Sequence, residues 1–164
     1  MRAGILTVSD AVAQGRREDG GGPAVRMALQ EMLGAEISTE AALPDEPEEI
    51  QMMLRRWCAL GLDLVAVTGG TGVSPRDRTP EAVRAVIDIE IPGLAERMRL
   101  ETGRDFPSAY LSRALAGVRG RTLILALPGS PRGAVDCLAA VAKLIPHALS
   151  VVRGGADHPA PATG

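Results

Sequence analysis

Nine residues, Gly69-Gly70-Thr71-Gly72-Val73-Ser74-Pro75-Arg76-Asp77, have the composition of an anion-binding loop. They follow an apolar run, Leu64–Thr68. Glycine-rich backbone after a strand exposes N–H groups that can wrap a phosphate. The stretch lacks the Gly-Lys-Ser/Thr of a P-loop, and Pro75 stands where a dinucleotide fingerprint needs its third glycine. It also fails as a nucleophile elbow, because Arg76 replaces the closing glycine. An ordinary turn is the competing reading.

Asp10, Asp45 and Asp77 stand at or just beyond the ends of apolar runs. Asp45 is open to two readings. It can cap a helix, with Glu48 completing a capping box three residues on, or it can serve chemistry. Asp77 is either a turn residue before Thr79-Pro80 or a ligand. Sparse carboxylates beside a phosphate loop suit Mg²⁺, which takes one or two carboxylates and fills its other positions with water and substrate phosphates. Asp19 lies in a glycine-rich loop that leaves its role open.

His147 and His158 are the only histidines; the first reads as structural and the second lies in the tail. Chemistry without a histidine base favours a nucleophile that is already ionised. A phosphate monoester, with a second pKa of about 6, is one. Its attack on a nucleotide phosphorus needs positioning, a metal and arginines more than proton transfer. Arg76, Arg78 and Arg113 are the candidate guanidinium partners.

The composition narrows the partners. Eighteen Lys+Arg face 20 Asp+Glu in 164 residues, a net charge of −2, and there is one each of Trp, Tyr and Phe. Neither a basic surface nor a stacking platform for nucleic acid is expected. Cys58 and Cys137 have no Cys or His at metal-ligand spacing and read as free thiols. The opening MRAGILTVSD is too short and too soon acidic for a signal peptide. No run approaches the roughly 20 apolar residues of a membrane span. A soluble, cytoplasmic chain with no membrane partner is expected.

These candidates need a frame. Apolar runs at 3–8, 35–43 and 64–68 read as strands, and runs 114–118 and 122–127 as a hairpin about Arg119-Gly120. Helical patterning covers 24–33, a stripe from Ile50 to Leu60, a segment from Thr79, and 92–101, 133–144 and 146–152. The alternation predicts an α/β fold: a three-layer sandwich with a mostly parallel central sheet. Residues 1–153 form one domain and 154–164 a tail expected to be disordered. In such folds ligands bind beyond the carboxyl ends of the strands. There the loops from Ser9-Asp10, Gly69–Asp77 and Pro128–Arg132 should converge.

Six motifs occur in order: Leu6-Thr7-Val8-Ser9-Asp10, Leu43-Pro44-Asp45-Glu46, Thr68-Gly69-Gly70-Thr71-Gly72, Pro75-Arg76-Asp77-Arg78-Thr79-Pro80-Glu81, Ser112-Arg113 and Leu127-Pro128-Gly129-Ser130-Pro131. Together they resemble the molybdenum-cofactor biosynthesis family, that of bacterial MogA and MoaB and of the G domains of gephyrin and plant Cnx. The likeness runs from Arg2 to Val152. The resemblance implies a molybdopterin-binding fold, commonly trimeric, that transfers AMP from Mg-ATP to the terminal phosphate of molybdopterin and releases pyrophosphate. It places the family's essential aspartates at Asp45 and Asp77, which are also the candidate Mg²⁺ ligands. It assigns molybdopterin and phosphate binding to Thr68, Gly69, Gly70, Thr71, Gly72, Arg113, Pro128, Gly129 and Ser130. Ser9, Asp10 and Arg76 fall on the nucleotide side. A molybdenum insertase would follow downstream. The alternatives are a MoaB-type protein with a weaker or redundant role and a non-catalytic molybdopterin-binding scaffold.

Overall fold

The computed structural model describes residues 1–155. Strands β1 (Arg2–Val8), β3 (Leu64–Thr68) and β6 (Thr122–Leu127) are buried along nearly their whole length. That is how strands covered on both faces read, as unbroken Val, Ile, Leu and Ala rather than alternation. β2 (Glu36–Leu43) alternates exposed and half-buried residues and lies at an edge. With β4 (Ile89–Glu90) and β5 (Leu115–Arg119) the sheet has the order β2-β1-β3-β6-β5-β4. β2, β1, β3 and β6 run parallel, while β5 pairs antiparallel with β6 and β4 antiparallel with β5.

Two apolar clusters flank the sheet. One packs Val25 and Leu29 of α2 (Gly21–Leu33), Met98 of α5 (Pro92–Gly103), Leu138 of α6 (Pro131–Val141) and Leu149 of α7 (Ile145–Val152) against one face. The other packs Ile50, Leu54 and Trp57 of α3 (Pro47–Ala59) and Val83 of α4 (Thr79–Arg84) against the opposite face. Each fully buried Leu or Ile contributes about 2 kcal/mol of transfer free energy. The expected three layers are therefore present, and the sheet is mostly parallel.

Register decides where the site lies. Thr7 pairs with Thr68, and Thr68 with Leu127, so β1, β3 and β6 end level. The three loops that follow leave the same edge, as the sequence predicts.

Four local features differ from the expectation. A short helix, α1 (Asp10–Ala13), forms because Ser9 Oγ accepts the Val12 N–H at 3.4 Å. Helix α2 starts three residues before Ala24, because Asp19 Oδ1 accepts the Gly22 N–H at 2.9 Å. Helix α6 starts at Pro131, two residues before Gly133, and tightens to a 3₁₀ turn over Ala142–Leu144. Another 3₁₀ turn, Pro107–Leu111, follows α5.

One exclusion needs correction. Pro131–Val152 is, among the described residues, a 22-residue helical segment long and apolar enough to cross a membrane. Its Ala134, Cys137, Leu138, Val141, Ile145 and Leu149 pack into the core beside the sheet. The tail reading concerns 154–164, of which 156–164 lie outside the described residues.

Candidate functional site

The chain turns sharply where β3 ends. Gly69 has φ 109° and Gly70 φ 62°, and a Cβ on Gly69 would collide with the Val8 carbonyl oxygen. Only glycine takes this backbone without strain. The Gly69 N–H donates to Leu127 O at 3.1 Å and Thr68 Oγ1 to Pro128 O at 2.7 Å. The Gly69–Asp77 and Pro128–Arg132 loops are thus stitched together. A Cβ on Gly129 would lie 3.2 Å from the Gly69 Cα.

Asp45 sits beneath this turn, 6% exposed. Its N–H donates to Asp10 Oδ1 at 3.0 Å, and its Oδ1 accepts the Arg78 N–H at 3.0 Å. The capping reading is corrected: Glu46 holds the N-cap position of α3, and no side chain caps that helix. Burial pushes the Asp45 carboxyl up to about 6; the charges of Asp77 and Asp10 push the same way, against the Arg78 N–H. A carboxyl poised near neutrality in a cleft is a mark of functional sites.

The turn reading of Asp77 is present in the structure. Its Oδ2 accepts the Ser74 N–H at 2.9 Å and its N–H donates to Ser74 O at 3.0 Å, which closes the turn. Its carboxylate also crowds Gly72, whose Cβ would meet Asp77 Oδ2 at 2.8 Å. Arg76 grips Asp10 through Nε and Nη2 at 3.1–3.2 Å and reaches Glu46 at 3.0 Å. That guanidinium, helped by the Asp45 N–H, holds the Asp10 carboxyl below the usual range.

Two clefts meet at the glycine turn. One, of about 600 Å³, lies between the turn, α5 and α6, with Thr71, Gly72, Pro128, Arg99, Phe106 and Arg132 on its walls. The other, of about 670 Å³, is walled by Thr68, Gly69, Ser9, Asp10, Asp45 and Arg76. Gly70, Asp77, Gly129 and Ser130 belong to both. The nucleotide-side candidates therefore gather in one cleft, while the binding-loop residues divide between the two.

Arg113 lines neither cleft, and this redirects the expectation that it binds phosphate. Its Nε donates to Gly72 O at 2.7 Å, its Nη2 to Asp77 O at 2.5 Å, and its Nη1 pairs with the Glu81 carboxylate. It clamps both ends of the Gly72–Asp77 segment from behind. Arg78 is exposed and also lines neither cleft. Arg113→Ala is expected to lower stability by about 1–3 kcal/mol, because two loop carbonyls lose a charged donor. A thermal melt checks this. Arg113→Lys should restore little, since one ammonium cannot span three divergent acceptors.

Several cleft residues were not among the site residues expected from sequence, although Arg132 closes one of the loops expected to converge there. Arg132 lies 4.4 Å over the Phe106 ring, and Arg99 donates to Ser112 O and Ala114 O. Arg132 directly follows Pro128–Pro131, so adjacency was the available signal; Arg99 and Phe106 arrive only through the packing of α5 on α6. Cys137 reaches the same wall, yet burial pushes its thiol up to about 11, consistent with an inert packed side chain.

The fit to Mg²⁺ rests on the donor set. Among the described residues no group of three or more His, Cys, Asp or Glu side chains forms a ready cage. Asp77, which both clefts share, and Asp45, on the wall of one, match the one or two carboxylates that Mg²⁺ takes alongside phosphate oxygens and water. Among the described residues Asp45 forms no ion pair, and Arg76 pairs with Asp10 and Glu46 instead. The residues fit the ion.

Residues 4–147 match the family model described as "Probable molybdopterin binding domain". The chain is 38% identical over 156 residues to molybdopterin adenylyltransferase of Helicobacter pylori J99, covering 94% of this chain and 89% of that protein. It is 40% identical over 160 residues to gephyrin of Dictyostelium discoideum, covering 92% of this chain but only 22% of that longer protein. Among solved structures, the molybdopterin biosynthesis enzyme MoaB from Thermus thermophilus superposes with a TM-score of 0.87 at 54% identity, covering 93% of this chain and 96% of that one.

Proposed function

This chain belongs to the molybdopterin-binding domain family, and on that premise we propose that it is a molybdopterin adenylyltransferase of molybdenum cofactor biosynthesis. The observation that carries the reading is the pair of clefts sharing Gly70, Asp77, Gly129 and Ser130. A transferase with two phosphate-bearing substrates needs two adjoining sites and a common floor where the reacting phosphates meet. The names of the relatives supply which substrates these are.

ATP occupies the cleft of Ser9, Asp10 and Arg76, and molybdopterin the cleft of Thr71, Arg99, Phe106 and Arg132. Arg99 and Arg132 give the second cleft positive charge for a terminal phosphate, and backbone N–H groups of the glycine turn orient it. A monoester oxygen, ionised at neutral pH, attacks the α-phosphorus of ATP. A new P–O bond forms, the α–β P–O bond breaks, and pyrophosphate leaves. No side chain has to remove a proton first. Arg76 can exchange Asp10 and Glu46 for phosphate oxygens as the nucleotide enters. Mg²⁺ held by Asp45 and Asp77 would neutralise phosphate charge. The proposed compartment is the cytoplasm, where ATP is at hand.

Incubation with molybdopterin, Mg²⁺ and α-labelled ATP should place label on the pterin and release pyrophosphate. Molybdopterin binding without label transfer would instead establish a binding or scaffold module. The assembly proposed is a homotrimer, to be read by light scattering as three times the 17.1 kDa chain mass; a persistent monomer at micromolar concentration would refute it. A molybdenum insertase is the proposed recipient of the product.

A further inference from the structure

Gly70 has a polar neighbour on each side of the space its missing side chain leaves. A Cβ there would overlap both Asp45 Oδ2 and Thr79 Oγ1. Thr79 is fully buried, and its N–H donates to Gly70 O at 3.1 Å. Its hydroxyl has no hydrogen-bond partner among the described residues. A buried hydroxyl left unpaired is costly, so such a group calls for an explanation. Across the same gap, the hydrogen bond to the Asp45 carboxylate uses Oδ1, from the Arg78 N–H. Oδ2 receives no donor among the described residues. A donor without an acceptor and an acceptor without a donor thus face one glycine, 2.4 and 2.3 Å from the point its Cβ would occupy.

We propose that Thr79 is a positioning residue for Asp45, its hydroxyl donating to Asp45 Oδ2 and fixing the orientation of that carboxylate on the wall of the Ser9, Asp10 and Arg76 cleft. Thr79 lines neither cleft and touches no substrate; it acts through Asp45. The arrangement explains two features together. Gly70 keeps the gap open, where any side chain would separate the two oxygens. Arg78 and Thr79, consecutive at the start of α4, then supply one donor to each carboxylate oxygen, the first from backbone and the second from side chain. With two donors the carboxylate has one orientation instead of a free rotor. The role in adenylyl transfer rests on the function proposed above; the contact with Asp45 does not.

Thr79→Val keeps the shape and removes the hydroxyl. The groups facing Asp45 are Asp10 beyond β1, Glu46 at the start of α3, and Arg76, Asp77 and Arg78 on the loop before α4; all are unchanged in this variant. Carbon-detected NMR titration of Asp45 should show its midpoint rising by roughly half a unit to one unit above the parent value, because a donor to the charged form has gone. Thr79→Ser should return it. Adenylyl transfer should fall about 10-fold in kcat, with KM for ATP little changed and the acidic limb of the pH profile displaced upward. Thermal stability should change little, since losing the hydrogen bond to Asp45 offsets the gain from no longer burying a hydroxyl. Added to Asp45→Asn, Thr79→Val should cost no further activity. If Thr79→Val does not fold, Thr79→Ala carries the same titration. An unchanged Asp45 midpoint, or failure of Thr79→Ser to restore it, overturns the proposal. If the parent protein transfers no label at all, the proposed function fails while the titration still decides the role of Thr79.

Discussion

Asp77→Asn should leave molybdopterin affinity intact or slightly raised and lower adenylyl transfer by roughly 10²-fold or more. That is the order lost when one preorganised electrostatic partner is removed. A carboxylate repels a phosphate unless a cation intervenes, so Asp77 is not there to attract the pterin. The structure sharpens the experiment, because Asp77 Oδ2 also accepts the Ser74 N–H. Asparagine can keep that hydrogen bond and lose only the charge, so its melting temperature should stay near the parent value. Asp77→Ala loses both, and should melt lower as well as turning over slowly. If Asp77 served the turn alone, Asp77→Asn would be close to normal by every measure, and Asp77→Ala would keep its turnover per folded molecule. Affinity, turnover and melting temperature on the same two variants separate these cases.

Asp45→Asn should trade activity for stability. The carboxyl titrates at about 6 in the folded protein against an ordinary 3.8, burial being the first cause. A raised carboxyl pKa means the folded state binds the proton more tightly than the unfolded state. Stability therefore falls as pH rises from about 4 through about 6, and the cost of the buried charge is fully present above 6. Asparagine removes that cost while its amide oxygen can still accept the Arg78 N–H. The variant should melt a few degrees higher at pH 7.5 and match the parent near pH 4, with a flatter pH dependence between. Adenylyl transfer should drop by roughly 10²-fold or more, the same order as for Asp77. In the parent enzyme, activity should decline as pH falls through 6 and Asp45 takes up its proton. Melting curves across pH 4–8 and label transfer at pH 7.5 test both halves. A variant that melts lower than the parent at pH 7.5 would show Asp45 to be structural.

The layered architecture and the edge that carries the site are legible in the linear chain. Runs such as Leu64–Thr68 and Thr122–Leu127 are nearly continuous in apolar residues because both faces of the sheet are covered, and that pattern is local. Gly69-Gly70 announces a turn no other residue could make, so the loop could be placed without coordinates. The ordered motifs around Asp45 and Asp77 carried the family. What the chain alone left open was which partner each side chain would choose. Asp45 reads equally well as a cap for the helix beside it, and only the approach of Arg78, 33 residues away, shows its carboxylate turned inward. Arg113 has the chemistry of a phosphate ligand, but Gly72, Asp77 and Glu81 engage its guanidinium first. Thr79 looks like any helix-opening threonine until burial strips its hydroxyl of water. Periodicity and turn chemistry depend on neighbours within a few residues and so survive in sequence. Hydrogen-bond choice and desolvation depend on segments that meet only when the level ends of β1, β3 and β6 bring their loops together.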